Sequence, residues 1–189
     1  MDIQIEHMNQ RLFFIQAMFC MSLYNWYNYS LFDTINNSFF TPYYQNCMLM
    51  LFYLGWDTYH MITNPILFRT ELIIHHSISF FTYITFTHIC PLQLSNILVC
   101  ECISLMNNVW RYNPRILKMY RTFCILCVRL PLWIWMWVYY FPTYILTHYK
   151  IILSYNHYLY FSIAGKIMLF FIMYDLFILW KLYKPIKHQ

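Results

Sequence analysis

Long apolar runs organise this chain, rather than two-residue alternation or a narrow helical stripe. Six stretches, near residues 12–32, 43–63, 72–90, 92–110, 121–141 and 158–180, are each about as long as a helix needs to cross the hydrocarbon core. Tyr and Trp crowd the ends of these runs, the level at which aromatic rings meet lipid headgroups. Pro42, Pro65, Pro91, Pro114, Pro142 and Pro185 fall at or just outside the boundaries, where a helix tolerates a missing N–H. Pro131 lies inside the fifth run and predicts a kink there. The first run is the weakest, with Asn25 and Asn28 in its second half. The pattern predicts an all-α membrane protein: six transmembrane helices forming one bundle over residues 12–183. Residues 1–11 precede it, and 184–189 form a basic tail.

The charges test that list of spans. Six crossings put Arg11, Arg69, Arg111, Arg115, Lys118, Arg121, Lys181, Lys184 and Lys187 on one side and only Lys150 on the other. The positive-inside rule makes the crowded side cytosolic, so both termini are expected in the cytosol. An odd number of crossings would scatter the clusters over both faces. Asp2 and Glu6 precede the first run, and no small-residue cleavage site follows it, which argues against a cleaved signal peptide. Asn36-Asn37-Ser38 is a glycosylation sequon in a short loop expected to be lumenal.

Composition strengthens the membrane reading. Apolar residues make up 61% of the 189 and charged residues 10%, about half the charge of an ordinary soluble domain. The net charge of +5 does not indicate nucleic acid, because the basic residues lie between apolar runs, where they read as topology signals and anionic-lipid contacts. The abundance of Phe, Tyr, Ile, Asn and Met resembles the codon bias of an AT-rich genome, which discounts any single aromatic or Asn. Cys124-x-x-Cys127 lacks a second pair or a nearby His, so the seven cysteines read as buried thiols, with no metal site or cofactor expected.

Ionisable groups inside the apolar runs carry the chemical signal, since each costs roughly 2.5–3.5 kcal/mol at mid-bilayer. They are Asp57 and His60, His75 and His76, Glu101, Arg129, and Lys166 with Asp175. A rise of about 1.5 Å per residue puts groups from five helices in the cytosolic half. On α-helical phase, His75, His76, Ser79, Thr82 and Tyr83 share one face of the third span, with Ser77 the exception. Glu101, Ser104 and Asn108 share a face of the fourth. By depth, Arg129 is the expected partner of Glu101. Lys166 is expected to snorkel outward, and Asp175 to face the interior. The simplest account of such stripes is interhelical hydrogen bonding. A polar cavity is the alternative.

The run Gly55-Trp56-Asp57-Thr58-Tyr59-His60-Met61, then Arg69…His75-His76, then Glu101…Ser104…Asn108, resembles the TLC-domain family, which includes ceramide synthases. The likeness covers about residues 43–183. Synthases follow the His pair with two aspartates three residues apart; here Glu101 stands at the first position and Ser104 at the second. That departure looks closer to the non-synthase members, which are associated with lipid composition and trafficking. The resemblance implies a lipid-homeostasis or lipid-binding protein of endomembranes such as the endoplasmic reticulum, with membrane lipids as partners. Asp57, Ser79, Ser104, Asn108, Arg129 and Asp175 would line its polar cavity. The alternative is an acyl-CoA-dependent N-acyltransferase using His75, His76 and Glu101, with acyl-CoA as co-substrate. A small transporter or channel is the third reading, although no inverted repeat or broken helix signals it.

Overall fold

The computed structural model describes residues 3–29, 40–88, 90–105, 113–140 and 155–184, and every regular element among them is helical. Asp2, the Asn36 sequon, Asn108, Arg111, Pro142, Lys150, Pro185 and Lys187 lie outside the described residues. The chain divides into two compact units, Met1–Tyr112 and Asn113–Gln189.

In the first unit α1 (Ile3–Asn28) packs on α2 (Pro42–Thr63), and α2 packs on α3 (Thr70–Phe86) and on a short α4 (Pro91–Ile97). A 3-10 helix, Leu98–Ser104, continues from α4 and lies against α1. Helix α1 starts inside the stretch read as an N-terminal extension, and its inward face explains why. His7, Ile15, Met18, Ser22 and Asn25 are buried at intervals of three, four and eight, one stripe of an α-helix. On α2 the corresponding stripe is Asn46, Met50, Tyr53, Asp57 and Met61. Proline opens α2 and α4, as its fixed φ and missing N–H favour. Apolar side chains also face outward, among them Phe13, Phe52, Ile62, Phe81 and Ile84.

The fourth predicted span is corrected in form. It is one α-helical run of seven residues followed by seven in the tighter 3-10 winding, and six of the first seven residues are buried. Two buried asparagines hold this broken helix. Asn25 and Asn46 donate their Nδ2 groups to Ser95 Oγ at 2.7 and 2.9 Å, while Ser22 and Trp26 donate to the Asn96 carbonyl at 3.2 and 2.9 Å. Tyr83 donates to the Leu94 carbonyl at 2.9 Å. Side chains thus supply what a regular α-helix would have supplied internally.

In the second unit one helical rod runs from Pro114 to Tyr140: α5 (Pro114–Cys124), a π-helical turn (Ile125–Arg129), α6 (Leu130–Trp135) and a second π-helical turn (Met136–Tyr140). The first π turn directly precedes Pro131, so the expected irregularity takes the form of a widened turn. Helix α7 (Tyr155–Tyr183) packs on α6 and on the first π turn. Pro114–Tyr139 and Ser162–Tyr183 are long and apolar enough to cross a membrane. Only 28% and 22% of these stretches are buried in the protein, unlike the core helix of a soluble fold.

Candidate functional site

Asp57 is the centre of the first unit's buried charge. Its carboxylate has no solvent exposure and draws side chains from two other helices. His7 Nε2 and Arg11 Nε, one turn apart on α1, each stand 3.1 Å from Oδ1. His76 Nδ1, on α3, stands 3.3 Å from Oδ2. All three sit where α1 begins, α2 ends and α3 begins, so the antiparallel order of the helices brings them to one end of the unit. Oδ1 is thus approached from α1 and Oδ2 from α3, so both carboxylate oxygens are in ion-pair contact.

A second layer fixes the ring positions. Trp56 stacks on His7 with centroids 5.1 Å apart, and His60 leans on Trp56 at 4.8 Å. Tyr53 OH accepts from Arg11 Nε at 3.4 Å, and Thr58 Oγ1 lies 3.4 Å from His76 Nδ1. Glu101 is near enough for its charge to be felt at Arg11, Tyr53 and Tyr83.

Of the site residues singled out from the sequence, all but Asn108, which lies outside the described residues, can be placed. On α3, His76, Ser79, Thr82 and Tyr83 are buried, His75 is half-buried and Ser77 is exposed, so the stripe faces inward. The Glu101 stripe needs a new phase. In 3-10 winding residues three apart eclipse, and Ser104 Oγ accordingly donates to Glu101 Oε2 at 3.5 Å. The carboxylate found on His76 is that of Asp57, whereas Glu101 was expected to orient the His pair.

Arg129 and Asp175 belong to the second unit and face each other there. Arg129 Nε donates to Asp175 Oδ2 at 3.0 Å, its Nη2 lies 2.9 Å from Oδ1, and Trp133 Nε1 donates to Oδ2 at 3.1 Å. Asp175 is a carboxylate partner that the sequence pattern did not assign to Arg129. Both are buried, while Lys166 is exposed. Among the cysteines, Cys47, Cys100, Cys102 and Cys124 are buried as expected, but Cys20 and Cys127 are exposed.

Sequence reasoning missed His7 and passed over Arg11, read only as a topology signal. The signal was there: both fall in register with Ile15 and Met18 once α1 is extended to its true start. Among the described residues no three His, Cys, Asp or Glu side chains stand close enough to hold a metal ion. What the cluster presents is a buried carboxylate flanked by one guanidinium and two imidazoles. No protein-family model, curated protein or solved structure matches the chain.

Proposed function

We propose that this chain is a six-span, TLC-like membrane protein that holds a lipid by its polar headgroup at the Asp57 cluster, on the cytosolic side of an endomembrane. The single observation that carries the reading is the convergence of charge on Asp57. Asp57 has no exposure, and His7, Arg11 and His76 from two other helices stand 3.1, 3.1 and 3.3 Å from its oxygens. A headgroup hydroxyl or amino group is the kind of ligand that such a polar cluster fits. Ionisable groups inside a membrane domain are functional by default, and outward apolar side chains such as Phe52 and Phe81 give such a domain its lipid-facing surface.

Lipid extracted with purified wild-type protein and with Asp57→Asn and His76→Ala tests this. A changed profile of bound lipid in both variants is expected. An unchanged profile with only a lowered melting temperature would mean that the cluster is structural.

One contact favours a second reading, acyl transfer from acyl-CoA to an amine. Asp57 lies on the Nδ1 side of His76, the side from which a carboxylate orients a general base. In that reaction Nε2 takes the proton from the attacking amine, the C–N bond forms, the thioester C–S bond breaks, and the proton passes to the departing thiolate. Radiolabelled acyl-CoA with sphingoid bases, given to wild type, His75→Ala and His76→Ala, distinguishes the readings. Product that depends on His76 establishes the enzyme, and background counts throughout exclude it for these acceptors.

A further inference from the structure

The two parts of the chain differ sharply in charge. Residues 113–189 hold nine Lys or Arg and one acidic residue, whereas residues 1–112 hold three basic and six acidic residues. The single acid of the second unit, Asp175, is buried against Arg129. Asp175 being the one acid in residues 113–189, Arg115, Lys118 and Lys184 find no other acidic side chain within that stretch of sequence.

Several gather where α5 begins and α7 ends. Thr122 Oγ1 and Tyr183 OH lie 3.1 Å apart and join the two helices there. Lys118 Nζ sits 4.1 Å above the Tyr183 ring, and Lys184 Nζ sits 4.9 Å from the Trp180 ring. Arg115 is exposed one turn before Lys118, and Arg121 follows one turn after it. At about 100° per residue, Arg115, Lys118 and Arg121 cover one third of the α5 surface, while exposed Ile116, Met119 and Phe123 form the neighbouring face. Leu117 and Cys124 are buried on a third face.

Helix stability does not explain this arrangement. Arg115 and Lys118 occupy the first turns of α5, where the helix dipole disfavours positive charge. Cation–π contact holds the two lysine heads in place without cancelling their charge. An adjoining apolar face and flanking Tyr and Trp put the corner at headgroup level.

We infer that Arg115, Lys118, Lys184 and the rings of Trp180 and Tyr183 form a binding site for an anionic phospholipid headgroup, separate from the Asp57 cluster. The inference rests on the membrane reading proposed above but not on the role given to Asp57. A phosphate engages several cations at once, and each lysine or arginine near a charged surface contributes about 1 kcal/mol. Apolar Ile116, Met119 and Phe123 lie beside the acyl chains of the same lipid.

The test uses the full chain in nanodiscs of phosphatidylcholine doped with phosphatidic acid or phosphatidylserine, followed by detergent exchange and counting of retained lipid. Wild type is expected to retain the anionic lipids over phosphatidylcholine. Lys118→Gln weakens retention about fivefold, and Lys118→Gln with Lys184→Gln about thirtyfold. Arginine at both positions preserves retention. Equal retention of zwitterionic and anionic lipid by wild type would overturn the site, as would equal loss in the arginine and glutamine pairs. Lys166→Gln, which removes an exposed charge of α7 outside this corner, keeps anionic-lipid retention at the wild-type level, and the lipid that co-purifies with Asp57→Asn is scored separately, so failure of the Asp57 reading and failure of this one are told apart.

Discussion

Two aspartates in this protein are completely buried, yet they are bound in opposite ways. Asp175 is closed: Oδ2 receives aligned hydrogen bonds from Arg129 and Trp133, and the guanidinium covers Oδ1 as well. Asp57 is crowded but open, with no fork on it: Arg11 approaches by Nε alone and two imidazoles stand at its sides. A permanent cation in two-point contact makes a fixed staple. Separate one-point contacts from side chains on two other helices make a looser arrangement that can admit another polar group. Burial alone does not separate structure from function here; the partners do.

The comparison is broken most easily at the closed end. Arg129→Met strands a buried carboxylate and is expected to destabilise the second unit by about 3–5 kcal/mol, read from the thermal or denaturant midpoint. Replacing both partners, Arg129→Leu with Asp175→Leu, should recover most of that loss. Wild-type stability in the single variant would remove the staple reading. At the open end Asp57→Asn keeps the shape and costs less, about 1–3 kcal/mol, while altering bound lipid. A stability loss as large as that of Arg129→Met, with lipid unchanged, would make the two sites alike. Arg11→Lys keeps a positive charge beside Asp57 while losing the Nε contact, and should cost less than Asp57→Asn. The smallest effect is spectroscopic. His7→Ala removes the ring stacked on Trp56 and should change the emission of Trp56. Trp133, hydrogen-bonded to Asp175 beside a guanidinium, should not respond. A matching response from both tryptophans would erase the distinction.

Much of the helical frame could be read from apolar runs, because a run long enough to cross lipid is also a helix by length. Residues 43–63 were expected and α2 covers Pro42–Thr63; residues 158–180 were expected and α7 covers Tyr155–Tyr183. The inward stripe of α3 was legible from phase alone. The start of α1 was not, because His7 and Arg11 lower the hydropathy of a stretch whose polar groups are satisfied by Asp57 rather than by water. Asn25 and Asn46 fell under the discount on any single Asn and Ser95 was not singled out, although together they secure the most irregular helix in the first unit. The pairing of Arg129 with Asp175 was not legible either, because it depends on which helix faces lie side by side, and one-dimensional patterns do not encode that.

The winding of residues 98–104 sets how this region can change in evolution or by design. Seven residues at about 2 Å each advance roughly 14 Å, farther than seven α-helical residues would. With threefold repetition, inserting one residue before Glu101 turns its carboxylate by a third of a revolution, while inserting three returns it to the same azimuth one step along. The segment therefore behaves as a ratchet with three settings, and length variants in multiples of three are the ones that keep Glu101 facing α1.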